Sequence, residues 1–190
     1  MSKKGKAIIF SAPSGSGKTT LVKKLILEFS RLQFSVSATT RKPRAGESEG
    51  REYYFISEEE FKERIDNNQF VEWEEVYNQG YYGTLKREVD SIWAKGNVVI
   101  FDVDVKGGCN LKEYFGEEAL SIFVKVPSME VLYERLVKRG TENEEEIKKR
   151  LGKASYEMSF EKYFDLVVIN STIEIAFEEC KRYIQEFINN

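Results

Sequence analysis

Four short apolar runs divide the chain in a way that is typical of an α/β domain. They cover residues 7–10, 98–103, 120–126 and 166–169, and segments with helical spacing or polar composition separate them. A short run of consecutive apolar residues is typical of a strand that is buried on both faces. Because such strands alternate with helices along the chain, we predict an α/β fold with a parallel sheet flanked by helices.

The predicted helices carry apolar residues on one face and begin at recognisable caps. Leu21, Leu25 and Phe29 share one face of the first helix. Residues 57–60 and 141–144 fit the capping-box pattern, in which side chains satisfy the free backbone N–H groups of a first helical turn. Helices are predicted over residues 19–31, 57–68, 85–95, 128–139, 141–162 and 172–188.

Residues 34–90 interrupt this alternation of buried strands and helices. Short strands are predicted at 34–40, 53–56 and 70–77, and the glycines within 80–83 indicate a turn. These strands alternate apolar and polar positions, which is typical of a sheet with one solvent-facing side. We therefore predict that this stretch forms a small mixed α/β lobe inserted into the main domain.

Composition and charge narrow the possible functions. The chain has 190 residues, 41% of them hydrophobic and 32% charged, which suits one globular domain with room for an inserted lobe. A formal net charge of −3 argues against nucleic-acid binding through bulk positive charge, so anions must be bound by local clusters. The sequence has no histidine, which excludes catalysis by an imidazole base.

Cysteine spacing and hydropathy indicate the compartment. Cys109 and Cys180 match no metal-binding or C-x-x-C spacing, so we expect two free thiols in a reducing environment. No apolar run approaches the roughly 20 residues that span a bilayer, and the apolar segment at 7–10 is too short for a signal peptide. We predict a cytoplasmic protein without a membrane partner.

A phosphate-binding loop directly follows the first predicted strand. Residues 12–20 read Ala-Pro-Ser-Gly-Ser-Gly-Lys-Thr-Thr, which fits G-x-x-x-x-G-K-[ST] except that Ala12 replaces the first glycine. Backbone N–H groups of such a loop and the N-terminus of the next helix bind phosphate oxygens, and the lysine reaches the β- and γ-phosphates. The predicted nucleotide-binding loop residues are Ala12, Pro13, Ser14, Gly15, Ser16, Gly17, Lys18, Thr19 and Thr20.

Asp102 ends the apolar run that begins at residue 98, as in a Walker B segment. Many strands end in aspartate, so this feature is informative only together with the phosphate loop. In that context the Asp102 carboxylate and the Thr19 hydroxyl are candidates to hold a phosphate-bound Mg²⁺ ion, the carboxylate usually through water.

Arg41 and Arg44 lie on either side of Pro43 in a short loop. Two guanidinium groups on one stiffened loop suit a phosphate monoester, because each can donate two parallel hydrogen bonds. Tyr53 and Tyr82 are candidate phenolic donors to the same group. An exposed basic loop is the alternative, and the neighbouring nucleotide site favours phosphate binding.

Several motifs occur in the order found in guanylate kinases. They read Ser-Ala-Thr-Thr-Arg-Lys-Pro-Arg at 37–44, Gly-Arg-Glu-Tyr at 50–53, Phe-Val-Glu-Trp at 70–73, Tyr-Tyr-Gly-Thr at 81–84 and Asp-Val-Asp-Val-Lys-Gly at 102–107. The chain resembles that family over nearly its full length, and alanine at the first P-loop position is familiar there.

The resemblance implies two sets of acceptor-binding residues. Arg41, Arg44, Tyr53 and Tyr82 match the ligands of the GMP phosphate, and Ser37, Glu72, Thr84 and Asp104 match the guanine contacts. The chemistry agrees independently for Glu72. Guanine presents N1–H and N2–H₂ as adjacent donors, and a carboxylate is an acceptor-only group. Adenine has an acceptor at N1, so a site built for donors rejects it.

The resemblance also implies a helical lid over residues 127–162, a GMP-binding lobe over 34–90 and a core formed by 1–33, 91–126 and 163–190. Arg135 and Arg139, four residues apart on one helix, and Arg150 on the next helix match the lid arginines. They and Lys18 would neutralise the migrating phosphoryl group while the lid excludes water. A solvated charged face is the alternative. Asn170 matches a residue that contacts adenine.

The implied reaction is Mg·ATP + GMP ⇌ ADP + GDP by direct in-line transfer. The expected catalytic residues are Lys18, Arg41, Arg135, Arg139 and Arg150, and dGMP is an expected second acceptor. The expected partners are ATP and GMP, and the protein is a monomer or homo-oligomer. Three alternatives are a kinase-dead interaction domain, a different nucleoside monophosphate kinase and a GTPase switch. The intact Lys18 and Thr19 argue against the interaction domain, and the Glu72 and Asp104 pair argues against a different nucleoside monophosphate kinase. The absence of an Asn-Lys-x-Asp motif argues against the GTPase switch.

Overall fold

A five-stranded parallel sheet lies at the centre of the computed structural model, which describes residues 5–44, 46–76, 80–140 and 143–189. A four-stranded sheet lies beside it. The strands in chain order are β1 (Ala7–Ser11), β2 (Leu32–Phe34), β3 (Ala38–Thr39), β4 (Tyr54–Phe55), β5 (Phe70–Val76), β6 (Gly80–Leu85), β7 (Val98–Asp102), β8 (Ala119–Lys125) and β9 (Leu166–Ile169).

Helices connect these strands and cover both faces of the large sheet. In the described part of the chain, none of them has the length and apolar character that a membrane-spanning helix needs. Short 3-10 helices cover Gly116–Glu118 and Glu161–Tyr163. The α-helices are α1 (Lys18–Glu28), α2 (Glu58–Asp66), α3 (Lys86–Ala94), α4 (Val105–Phe115), α5 (Met129–Arg139), α6 (Glu144–Met158) and α7 (Ile173–Asn189).

The large sheet has the strand order β2-β7-β1-β8-β9, and every pairing in it is parallel. Its two faces bury separate apolar clusters, because alternate residues of a strand point to opposite sides. Ile8 and Phe10 of β1 pack in the cluster that includes α1 and α7, whereas Ala7 and Ile9 pack in the cluster that includes α3 and α4. The predicted α/β fold with a parallel sheet flanked by helices is confirmed.

The register of the large sheet brings the two predicted phosphate elements together. β1 pairs with β7 so that Phe10 lies opposite Asp102. The P-loop that follows β1 and the acidic end of β7 therefore emerge side by side at the carboxyl edge of the sheet. Ligands of open α/β sheets bind at this edge.

The small sheet has the order β4-β3-β6-β5, and its two longer strands, β5 and β6, are antiparallel. The turn predicted at 80–83 is wrong, because those residues belong to β6. Gly83 lies opposite Trp73, and a Cβ atom there would lie 2.8 Å from the Phe70 ring. This glycine permits a close approach within a strand and does not mark a turn.

The single strand predicted at 34–40 is divided between the two sheets. Phe34 ends β2, which pairs with β7 in the large sheet, and Ala38 begins β3 in the small sheet. The Ser35 N–H donates to Ile100 O at 3.1 Å before the chain crosses over. Helix α1 ends at Glu28, earlier than predicted.

The capping box of α6 differs from the predicted one. Asn143 caps the helix and exchanges hydrogen bonds with Glu146, whose side chain accepts from the Asn143 N–H. The predicted box began at Thr141, and Thr141 and Glu142 lie outside the described residues. The α6 helix ends at Met158, a few residues before the predicted end.

Candidate active site

The P-loop between β1 and α1 wraps around an open cleft of about 360 Å³, called here the P-loop cleft. Gly17 has a φ of +89°, and a Cβ atom there would lie 2.5 Å from Asn170 Nδ2, so only glycine fits without strain. The loop backbone thus turns sharply and leads directly into the α1 N-terminus. The residues that line the P-loop cleft are residues 12–20, Asp102, Val103, Asp104, Lys153 and Glu157.

Lys18, Thr19 and Asp102 form one polar cluster on the floor of the P-loop cleft. The Lys18 ammonium lies 2.5 Å from Asp102 Oδ1 and also donates to the Val103 carbonyl. The Thr19 hydroxyl donates to Asp102 Oδ2 at 2.7 Å. The loop lysine and the Walker B-type carboxylate predicted from the sequence are therefore direct partners.

The donor set of this cluster fits a magnesium ion. Mg²⁺ prefers hard oxygen ligands and usually keeps several waters while it binds one or two protein groups and substrate phosphates. Thr19 offers a hydroxyl oxygen and Asp102 a carboxylate at the same point of the cleft. Within the described ranges there is no group of three or more acidic, cysteine or histidine side chains that would form an all-protein metal cage.

A second cleft of about 320 Å³ lies against the small sheet and is called here the small-sheet cleft. It brings together seven of the eight residues that the resemblance implies for binding GMP. The eighth, Thr84, donates a hydrogen bond to Glu72, which is one of the seven. The lining residues are Ser37, Arg41, Arg44, Tyr53, Glu72, Glu74, Tyr82, Gly83, Asp102, Val103, Asp104, Gly107 and Lys153.

Glu47 orders the loop that carries Arg41 and Arg44, called here the arginine loop, beside the small-sheet cleft. Its two carboxylate oxygens each accept a 2.6 Å hydrogen bond from the Arg41 guanidinium, and Oε2 also accepts from the Arg44 N–H at 2.8 Å. These bonds lower the pKa of Glu47 to about 2. The Arg41 guanidinium also lies 4.9 Å from the centre of the Tyr53 ring. Glu47 was missed by sequence reasoning, and its spacing from two arginines was the available signal.

Glu72 is the largely buried carboxylate of the small-sheet cleft. Burial is the main cause that raises its pKa to about 7, and the nearby charge of Asp104 adds to this effect. The Thr84 hydroxyl donates to Glu72 Oε1 at 2.8 Å and favours the ionised form. Asp104 itself caps α4 by accepting from the Gly107 N–H at 2.9 Å.

Glu74 is a further carboxylate in this cleft, beside Glu72, Asp102 and Asp104, and sequence reasoning did not select it. It lies two residues after Glu72 on β5, so both side chains point to the same face of the strand. Burial and the neighbouring Asp104 raise the pKa of Glu74 to about 7. Burial thus raises the pKa of both Glu72 and Glu74, two neighbouring carboxylates that lie where guanine donors are expected.

Two of the three predicted lid arginines, Arg135 and Arg150, contact the P-loop. Arg135 donates to the carbonyl of Asn170 at 2.7 Å and to the carbonyls of Ser171 and Ser16 at 3.1 and 3.4 Å. Arg150 donates to the Ser14 hydroxyl at 2.5 Å. The side chain of Arg139, which ends α5, lies outside the described part of the structure.

Asn170 fastens the P-loop to the segment that follows β9. Its side chain is buried, and Nδ2 donates to the Ser16 carbonyl at 2.7 Å. Its Oδ1 atom is also buried and has no hydrogen-bond partner among the described residues. The geometry therefore gives Asn170 a contact with the loop backbone, and the adenine contact implied by the resemblance stays a prediction.

Comparison with known proteins agrees with this geometry. The family model described as guanylate kinase matches residues 4–187. A guanylate kinase of Bacteroides thetaiotaomicron is 54% identical, and the match covers 97% of this chain and 91% of that protein. A guanylate kinase of Porphyromonas gingivalis is 50% identical, and the match covers 96% of this chain and 98% of that protein. The crystal structure of guanylate kinase from Anaplasma phagocytophilum superposes with a TM-score of 0.74 at 29% identity, covering 98% of this chain and 87% of that one. The chain belongs to the guanylate kinase family.

Proposed function

We propose that this protein transfers the γ-phosphoryl group of ATP to GMP, producing ADP and GDP, with dGMP as a second acceptor. The observation that carries the proposal is the shared wall of the two clefts. Asp102, Val103, Asp104 and Lys153 line both of them. A phosphate donor in the P-loop cleft and an acceptor in the small-sheet cleft would meet at this wall, as in-line transfer requires.

ATP would bind with its β- and γ-phosphates in the P-loop cleft. The loop N–H groups and the α1 N-terminus supply fixed positive dipoles for these phosphates. Lys18 would exchange its contact with Asp102 for the phosphate oxygens, which are the stronger anionic partner. Thr19 and Asp102 would hold Mg²⁺, which neutralises phosphate charge when bound.

GMP would bind in the small-sheet cleft with its phosphate on the arginine loop. Arg41 and Arg44 would bind the phosphate oxygens, and Tyr53 and Tyr82 would donate their phenolic O–H groups. The Glu72 carboxylate would accept from guanine N1–H and N2–H₂, supported by Ser37, Thr84 and Asp104. None of these contacts needs the ribose 2′-hydroxyl, which is the reason to expect activity with dGMP.

The transfer itself would need little covalent chemistry from the protein. A GMP phosphate oxygen attacks the γ-phosphorus while the bond to the β–γ bridging oxygen breaks, and ADP leaves with the electron pair. The protein would align these atoms and neutralise the charge of the migrating group. Lys18 and the lid arginines Arg135, Arg139 and Arg150 are proposed for this role, in a lid at 127–162.

The test is a coupled assay of ADP release with Mg·ATP and each of GMP, dGMP, AMP, UMP and CMP. We expect turnover with GMP and dGMP and background rates with the other three nucleotides. ADP release with GMP that does not exceed the ATPase background would contradict the proposal. Equal turnover with AMP and GMP would contradict only the assignment of base specificity.

The pKa of Glu72 predicts a pH dependence of GMP binding. Protonation below about pH 7 removes an acceptor from the carboxylate, so KM for GMP should rise about fivefold as the pH falls from 7 to 6 and about tenfold per pH unit below that. Above about pH 8 it should level off. The measurement is KM for GMP at saturating ATP from pH 5.5 to 8.5.

The Glu72→Gln variant is the control for this pH profile. The variant keeps the other charged and polar groups that affect the pKa values of Glu72 and Glu74. These groups are Asp104 and Lys106 at the start of α4 and Thr84 on β6, so their effects on binding are present in both proteins. Protonation of the GMP phosphate also acts equally on both proteins. A wild-type profile that runs parallel to that of the variant would show that Glu72 does not titrate in this window.

A further inference from the structure

Lys153 lies where the two clefts join, although no sequence motif pointed to it. It belongs to α6 and lines both the P-loop cleft and the small-sheet cleft. The other three residues that line both clefts are Asp102, which ends β7, and Val103 and Asp104, which come directly after it. A cation therefore faces the point at which donor and acceptor phosphates would meet.

Glu157 is the ion-pair partner of the Lys153 ammonium. The two residues are four apart on α6, and Lys153 Nζ lies 3.4 Å from Glu157 Oε1. The Glu157 side chain is 4% exposed, and its Oε2 atom accepts from the Ser14 N–H at 3.2 Å. A buried carboxylate must keep its partners to offset desolvation, so this network ties the lysine to the P-loop.

The Lys153 ammonium remains available to a further anion. Its side chain is 64% exposed, and an ammonium group has three donors. The neighbouring lid cations are differently placed: Arg135 donates to backbone carbonyls and Arg150 to the Ser14 hydroxyl. Arg150 and Lys153 are three residues apart and therefore share one face of α6. Because Arg150 contacts Ser14, this face lies toward the P-loop.

We propose that Lys153 is a further catalytic residue whose ammonium contacts both the GMP phosphate and the γ-phosphoryl group during transfer. This inference rests on the proposed function. A flexible lysine is a mobile point charge that can follow the phosphoryl group from ADP to GMP. No proton leaves Lys153, because a phosphate monoester dianion attacks without a base. The residue acts by neutralising charge that develops between the clefts.

The variant Lys153→Met tests this role against Lys149→Met as a matched control. Lys149 lies on the same helix, is exposed, and lines neither cleft among the described residues, so both variants remove one charge from α6. We expect Lys153→Met to lower kcat about 10- to 100-fold with KM values within about threefold. Lys149→Met should stay within about twofold, and Lys153→Arg should recover part of the loss.

A binding measurement separates this inference from the proposed function. The probe is a bisubstrate analogue in which five phosphates join adenosine and guanosine, and its Kd is compared with those of ADP and GMP alone. Lys153→Met should weaken the analogue about tenfold or more and each single nucleotide less than threefold. Equal analogue affinity in the two methionine variants overturns the inference. That result would leave the proposed function intact, whereas a wild type that binds the analogue without phosphorylating GMP overturns the proposed function and the inference with it.

Discussion

Replacing Lys18 by methionine is expected to lower kcat about 10³-fold, the largest effect of any single substitution in this chain. Lys18 lies 2.5 Å from Asp102 at the floor of the P-loop cleft, beside the predicted phosphate sites. Methionine keeps the length and apolar volume of the side chain but removes the charge and the donors. The transition state then loses a fixed cation next to the γ-phosphoryl group.

The control for Lys18→Met is Lys23→Met, which removes the same charge from an exposed position of α1. Steady-state kinetics with saturating ATP and GMP measure kcat, and thermal unfolding measures stability. The loss of the Lys18 partner leaves the largely buried Asp102 carboxylate with the Thr19 hydroxyl. The melting temperature should fall in Lys18→Met alone. A kcat within tenfold of the wild type would rule out a direct role for Lys18.

The sequence indicated the P-loop and its flanking strand and helix because their signals are local. The P-loop needs a strand, glycines that can take positive φ, and a helix start, and all three lie within a few residues of one another. Buried parallel strands such as β1 and β7 read as apolar runs because both faces are covered. The pairing of β1 with β7 places Lys18 next to Asp102. This pairing depends on the order of the strands in the sheet, which the local sequence does not determine.

Helix α4 was not predicted, and the reason is its composition. Gly107 and Gly108 lie in its first turn, and paired glycines normally disfavour a helix. A Cβ atom at Gly108 would lie 2.9 Å from the Phe164 ring and 3.2 Å from Ser11 Cβ. The glycine therefore allows the helix to pack closely against β1, and this tertiary contact overrides the local preference.

Local reasoning also missed three residues that surround the predicted site. Glu47 pairs with Arg41 across a loop, and Glu157 reaches Ser14 from a helix far along the chain. Lys153 shares a face with Arg150, and that helical spacing was the one signal available in advance. Each of these contacts depends on how α6 and the arginine loop pack, which periodicity does not encode.

Replacing Glu72 by glutamine is expected to lower kcat/KM for GMP about 10²-fold or more while kcat with saturating ATP and GMP changes much less. The carboxamide presents one acceptor and one donor group, and the donor opposes guanine N1–H or N2–H₂. The matched control is Glu75→Gln, an exposed position on the same strand whose side chain points to the other face. Kinetics with GMP, dGMP and AMP measure the effect, and equal losses in the two variants would exclude Glu72 as the reader of the base.

The same substitution should stabilise the protein without nucleotide at alkaline pH. Folding raises the pKa of Glu72 from 4.5 to about 7, so the folded state favours the protonated form. Stability from this group is fully present below about pH 4.5 and is lost as the pH rises through 7, by up to about 3 kcal/mol.

Glutamine is neutral at every pH, so it avoids that loss. The melting temperature of Glu72→Gln should therefore exceed that of the wild type at pH 8 and match it near pH 4, with Glu75→Gln unchanged at both. A difference that does not depend on pH would mean that ionised Glu72 carries no burial cost. The expected pattern would show that the ionised carboxylate is costly to bury, a cost that guanine, with two adjacent donors, would offset under the proposed function.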